Sequence, residues 1–306
     1  MMSAATTHTR LIRQFGLLPM EPLKKHTRFR VGGPAELLAL PGSGSELRDL
    51  VLAARQHKLC VTLLGGGSNV LVSDKGIRGL VIGLKNLRSA IVLKGKNGLE
   101  AAAGEPLSRV VSFAVKRGLA GLEFAAGIPG TIGGAVMMNA GTAAHGICEI
   151  LDSVDVLDLT SLELKILKKK DLDFSYRHLN LPKAVIISVR AKLETENPAK
   201  VKARFEANLE AKNTSQPVSQ ASAGCFFKNP DPSTPAGKLI DQAGLKGMRV
   251  NDAQVSRQHA NFIINRGKAT CKDILDLKSM IQEKVFEKFN IKLETEVRLV
   301  GNEKKN

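Results

Sequence analysis

VTLLGGGSNVLVSD, residues 61–74, decides the fold. Val61 to Leu64 make a short apolar run, the mark of a buried strand. The run passes straight into Gly65-Gly66-Gly67-Ser68-Asn69, and Val70-Leu71-Val72 then reads as a second strand. A Rossmann dinucleotide site needs a strand, GxGxxG and then a helix. No helix opens here. A P-loop needs Gly-Lys followed by Ser or Thr, and this loop holds no lysine. Glycine still suits a phosphate, because a backbone without Cβ can approach the anion and aim its N–H groups at it. A second run, AGIPGTIGGAVMMNAG at 126–141, offers another such surface. Two cradles in one domain suit the diphosphate of a dinucleotide. The competing reading is a pair of structural turns.

Outward from that stretch the chain alternates helices and strands. Ser43 and Glu46 have capping-box spacing ahead of Leu47, Leu50, Val51 and Ala54, which predicts a helix ending near Lys58. Leu80 to Ile82 is a further strand. PLSRVVSFAVKRGL predicts a helix with Pro106 early, Val110, Val111, Ala114 and Val115 on one stripe, and Gly118 at the stop. Val154 and Val156 alternate with polar residues in a strand, and Val185 to Val189 is an apolar strand closing the domain. Asn197-Pro198 reads as a hinge. Beyond it, Val201, Phe205 and Leu209 mark an amphipathic helix, and the polar stretch NTSQPVSQASAG reads as a loop. A last helix begins near Thr270, with Asp273 three residues on and Ile274, Leu277, Ile281 and Val285 as its stripe. LETEVRLV is a final strand, with Leu293, Val297 and Leu299 on one face and Glu294, Glu296 and Arg298 on the other.

The 306 residues allow two domains, each with its own core. Trp is absent and Tyr occurs once, so the core is aliphatic. The formal net charge of +16 suits an anionic partner. The basic residues are dispersed; the densest runs are Lys168-Lys169-Lys170 and Lys304-Lys305, and no aromatic residues interleave with them as base stacking would require. Nucleic acid is therefore not expected, and small anionic molecules are. Cys60, Cys148, Cys225 and Cys271 show no CxxC spacing and no accompanying histidine cluster, so neither a metal site nor a disulfide framework is expected. No run of about 18 apolar residues occurs, so no membrane insertion is expected. The reading is a cytoplasmic protein acting as a monomer or weak dimer.

Eight segments carry a resemblance. GGPAEL (32–37), LLGGGSNVLVSDKGIRGLVI (63–82), AGIPGTIGGAVMMNAG (126–141), SYRHL (175–179), SAGCFFKNP (222–230), AGKLIDQAGLKG (236–247), VSRQHANFIIN (255–265) and LETEVRLVG (293–301) stand in order along the chain. Together they resemble the UDP-N-acetylenolpyruvoylglucosamine reductase family. The resemblance implies an α+β protein with an FAD-binding domain of the vanillyl-alcohol-oxidase (PCMH) type, followed by a smaller α+β substrate-binding domain. On that footing residues 1–20 are an N-terminal arm, 21–195 the FAD domain and 196–306 the substrate domain. FAD is the implied cofactor, NADPH the electron donor and an enolpyruvyl UDP-sugar the substrate.

The same resemblance assigns site residues. Arg177 matches the family's active-site arginine, suited to hold a carboxylate by two parallel hydrogen bonds. Glu296 matches the catalytic glutamate, either protonated or orienting Arg177 or a water; Glu294 is its neighbour and reads as structural. Cys225 stands where many members have serine as proton donor. A thiol, with a free pKa of about 8.5, is a stronger acid than an alcohol. Gly65, Gly66, Gly67, Ser68 and Asn69 are assigned to the cofactor, with Gly127, Ile128, Gly130, Gly133, Gly134, Asn139 and Gly141. Tyr176, Lys228, Asn229, His259 and Asn261 are assigned to the substrate, although His259 is equally open to a structural role. No second tyrosine exists to cap the substrate, so the chain resembles the family's short branch. AKNTSQP departs from the basic residues expected there, leaving Lys212 as the nearest diphosphate contact. Two rivals stay open: a sibling flavin oxidase, and a non-catalytic nucleotide-binding or nucleic-acid-binding protein.

Overall fold

The computed structural model describes residues 4–142, 144–231 and 233–301. The Lys304-Lys305 run and the first three residues of the expected arm lie outside the described residues. The chain forms two compact units. Met1–Leu18, Leu38–Gly66 and Leu80–Lys212 make the first; Pro19–Leu37, Gly67–Gly79 and Asn213–Asn306 make the second.

The first unit holds the helices Ala4–Phe15, Gly44–Gln56 and Leu107–Lys116. Ser43 caps Gly44–Gln56 as its spacing predicts: its hydroxyl accepts from the Glu46 amide at 3.1 Å. The strand Val61–Leu64 pairs in parallel with Ile77–Gly83, from Val61 opposite Leu80 to Leu64 opposite Gly83. Parallel neighbours need a crossover. Here it is the stretch carrying the glycine loop and the strand Val70–Val72 rather than a helix. This is the feature that excluded a Rossmann unit.

A five-stranded antiparallel sheet completes the unit, in the order Leu164–Lys168, Leu151–Asp158, Ala184–Lys192, Gly98–Ala102, Val92–Lys94. Its inner face carries Val154, Val156, Val189, Leu99 and Ala101. These are buried in one cluster with Leu107, Val110, Val111 and Ala114 of the helix stripe. Off that cluster, Arg190 reaches Asp155 through Nη1 and Nη2 at 2.6 and 2.7 Å, and Glu100 through Nε at 2.9 Å.

The second unit has a three-stranded antiparallel sheet, Arg249–Val250, Ala253–Val255 and Ile263–Asn265, with the helices Ala236–Gln242 and Cys271–Phe289. Thr270 and Asp273 form the predicted capping box. Ile274, Leu277, Ile281 and Val285 are buried with Phe226, Phe227, Ala253, Val255 and Ile263.

Three expectations change. The helix after Asn197 runs Pro198–Ser215, so the loop expected from Asn213 begins at Gln216; Pro217 keeps the residue before it out of the helical region. The partition expected at 195 falls at 212, because Val201 of that helix is buried in the first unit's core. Segments 19–37 and 67–79 belong with the second unit, which no linker composition announces. Lastly, LETEVRLV is a regular strand only over Arg298–Val300, and Leu299 is 37% exposed. Glu296 bonds Phe226, whereas Arg298 bonds Asn69. The partner changes between them and the alternation breaks.

Candidate active site

In the first unit the two glycine runs meet. A Cβ on Gly66 would lie 2.9 Å from Gly130 Cα, so the absence of side chains lets the loops touch. Gly127 and Gly130 take φ of +68° and +110°, turns that L side chains resist. The run then opens the short helix Ile132–Met137. Thr131 caps it, accepting from the Gly134 amide at 3.3 Å. Gly133 is glycine for packing, since a Cβ would sit 2.7 Å from that of Ala103. Gly141 is too, with the His145 carbonyl oxygen 1.8 Å from the same point. Ile128 donates to Ala125 within a turn.

Gly65 is different. A Cβ there would meet Thr131 Oγ1 at 3.6 Å and Gly134 Cα at 3.7 Å, an ordinary contact. Packing within the chain does not demand glycine at 65. Among the described residues, no backbone carbonyl accepts from the amides of Gly65, Gly66 or Thr131. Half-exposed glycine backbone with undirected amides fits a dinucleotide diphosphate.

Arg177 occupies a two-residue hairpin tip between the strands Asp173–Ser175 and His178–Asn180. Its φ is +57°, a strained conformation for a long side chain. Contacts to Gly141 and Tyr176 help hold it. Nη2 donates to the Gly141 carbonyl at 3.0 Å, and the guanidinium lies 4.7 Å from the Tyr176 ring centroid. Asn139, itself at φ +38°, anchors the hairpin: Nδ2 donates to the Ser175 carbonyl at 2.9 Å, and Oδ1 accepts from the Cys148 amide at 3.0 Å. The side chain of Asn139 is thus turned to the arginine hairpin and to Cys148.

Gly67, Ser68 and Asn69 belong to the second unit. Gly67 has φ +66°, and a Cβ would be 2.0 Å from the His26 carbonyl oxygen. The Arg28 amide donates to the Gly67 carbonyl at 2.9 Å, and its guanidinium reaches the Val218 carbonyl. Sequence reasoning passed over His26 and Arg28; the only available signal was their place just before GGPAEL. Asn69 Nδ2 donates to the Glu296 carbonyl at 3.2 Å, and its own carbonyl accepts from Arg298 at 3.1 Å.

Cys225 and Glu296 lie on neighbouring segments of this unit. Cys225 is bridged to Phe262, and Phe227 to Thr295. The Glu296 amide donates to the Phe226 carbonyl at 2.9 Å. Gly224, at φ +82° with open space beside it, turns the chain into Cys225, which is half-buried. Lys228 Nζ lies 3.5 Å from the exposed Glu294 carboxylate, in keeping with the structural reading of Glu294.

Three substrate-assigned residues have work inside the unit. Asn229 Oδ1 accepts from the Ala236 amide at 3.1 Å. His259 Nδ1 accepts from the Asn261 amide at 3.2 Å, and its ring stacks edge-on against Phe262 at 5.0 Å. Burial, helped by the Lys246 ammonium, holds this imidazole below its ordinary pKa. Asn261 is 3% exposed, with both amide atoms bound to Phe227.

Two family models match the chain. Residues 35–163 match a family model described as an FAD binding domain. Residues 216–300 match one described as the UDP-N-acetylenolpyruvoylglucosamine reductase C-terminal domain. The expected FAD-binding fold is thereby borne out. The chain is similar to the UDP-N-acetylenolpyruvoylglucosamine reductase of Caldanaerobacter subterraneus subsp. tengcongensis, at 43% identity over 293 residues, 95% of this chain and 96% of that one. It is similar to that of Moorella thermoacetica at 43% over 286 residues, 93% of each chain. The crystal structure of UDP-N-acetylenolpyruvylglucosamine reductase from Thermus caldophilus superposes with a TM-score of 0.79 at 37% identity, covering 90% of this chain and 96% of that one. Among the described residues no cluster of three or more His, Cys, Asp or Glu is placed to hold a metal ion, and no helix is long and apolar enough to cross a membrane.

Proposed function

The chain belongs to the UDP-N-acetylenolpyruvoylglucosamine reductase family, and on that premise we propose that it reduces the enolpyruvyl group of UDP-N-acetylglucosamine enolpyruvate to the lactyl ether. The product is UDP-N-acetylmuramate, a peptidoglycan precursor. NADPH is the electron donor, becoming NADP⁺, and FAD is the redox group between them. The observation that carries the reading is similarity along almost the full length of both chains.

The backbone of Gly65, Gly66, Gly130 and Thr131 in the first unit would hold FAD, and residues of the second unit would contact the UDP-sugar. When bound and reduced, the flavin supplies a hydride to one carbon of the enol ether. The chain's residues manage the charge and the proton. Arg177 grips the substrate carboxylate, and the grip strengthens as negative charge builds there. Cys225 Sγ–H gives its proton to the neighbouring carbon and is reprotonated from solvent. Glu296 serves the same step, either as a neutral acid or by orienting Arg177 or a water. Lys228 offers a cation to the UDP-sugar. The positive net charge steers anionic small molecules rather than nucleic acid, and the chain works in the cytoplasm as a monomer or weak dimer.

The test separates the half-reactions. Cys225→Ser keeps activity. Cys225→Ala still accepts electrons from NADPH but returns them to the UDP-sugar roughly 10²–10⁴-fold more slowly. Full turnover by the alanine variant contradicts the proton-donor role.

A further inference from the structure

The segment that carries Cys225 has an unusual arrangement around Phe227. Towards the Thr295 segment, the ladder bonds are made by the neighbours of Phe227: Glu296 donates to the Phe226 carbonyl, and Lys228 donates to the Glu294 carbonyl, both at 2.9 Å. The amide and carbonyl of Phe227 therefore point the other way. There they meet a side chain instead of a strand. Asn261 Oδ1 accepts from the Phe227 amide at 2.9 Å, and Nδ2 donates to the Phe227 carbonyl at 2.8 Å. The Asn261 carbonyl accepts from the Phe226 amide at 2.7 Å. A carboxamide has the donor and acceptor of a peptide group. This one is buried, and Phe227 is 1% exposed, so water does not replace it.

We propose that Asn261 is a positioning residue. It acts as a surrogate peptide that sets the register of the Cys225–Lys228 segment against Glu294–Glu296, and so aims the Cys225 thiol and the Glu296 carboxyl. The inference rests on the roles proposed for those two residues. Removing the carboxamide strands a buried N–H and C=O in mid-segment, and the segment then shifts to find partners. Phe226 and Phe227 are both buried in the unit's core, at 2% and 1% exposure, so the shift passes to the residues on either side of them. A misplacement of about 1 Å at a proton donor costs about 10²-fold in rate.

The experiment is stopped-flow absorbance on flavin-loaded N261D and N261S beside wild type and C225A. N261D keeps the acceptor for the Phe227 amide but sets a carboxylate against its carbonyl; N261S shortens the arm. In both variants bleaching by NADPH keeps the wild-type rate. Reoxidation at saturating UDP-N-acetylglucosamine enolpyruvate slows about 10²-fold, with the loss in kcat rather than in KM. A loss confined to KM overturns the inference, because Asn261 would then be a substrate contact. Equal losses in both half-reactions, or none in either, also overturn it. Failure of the proposed function reads differently: wild type itself would not reoxidise with the UDP-sugar. A C225A variant that reoxidises at full rate removes the proton-donor role and the inference with it.

Discussion

Arg177 and Asn139 both take positive φ although neither is glycine, and each is bound to the segment of the other. Strain of this kind costs on the order of 1–3 kcal/mol and persists only where neighbours over-determine it. Residue type did not reveal this: Arg177 was legible only through SYRHL, and Asn139 only through NAG. The glycines sort more sharply. Gly66 is demanded by Gly130, whereas Gly65 has room for a methyl group. Gly65→Ala therefore leaves the apoprotein as stable as wild type while weakening FAD at least tenfold, about 1.4 kcal/mol. Gly66→Ala costs about 1–3 kcal/mol of stability even without flavin. Flavin titration beside thermal melts of the apoprotein reads both. Equal FAD affinity for Gly65→Ala and wild type contradicts the cradle.

At the scale of elements, periodicity located the helices and boundary chemistry located their ends. Ser43 and Thr270 were legible because each cap lies within four residues of its partner. Asp74 was not. Its carboxylate accepts from the Cys271 and Lys272 amides at 2.8 and 3.0 Å across 197 residues of sequence, placing an anion at the start of the helix Cys271–Phe289. Asp74→Ala lowers stability by about 1–2 kcal/mol, read from the urea midpoint. An unchanged midpoint contradicts that role. The strand at 293–300 was misread for a related reason. A two-residue alternation presumes one partner, and this segment bonds Phe226 and then Asn69. Long-range partners leave no periodic mark.

For the whole molecule, composition excluded a membrane-spanning helix and a disulfide framework, and the glycine context excluded the two commonest nucleotide folds. The partition was less legible, because Pro19–Leu37 and Gly67–Gly79 leave the first half of the chain to join the C-terminal unit. GGGSN itself straddles that division, with Gly66 in one unit and Gly67 in the other. The central claim is reduction of the enolpyruvyl UDP-sugar by a flavin that NADPH has reduced, and one measurement tests it most directly. The flavin band of the purified protein at roughly 450 nm is followed through two anaerobic additions. NADPH is expected to bleach it, and UDP-N-acetylglucosamine enolpyruvate to restore it with UDP-N-acetylmuramate formed in equal amount. A reduced flavin that stays bleached in the presence of that UDP-sugar contradicts the account.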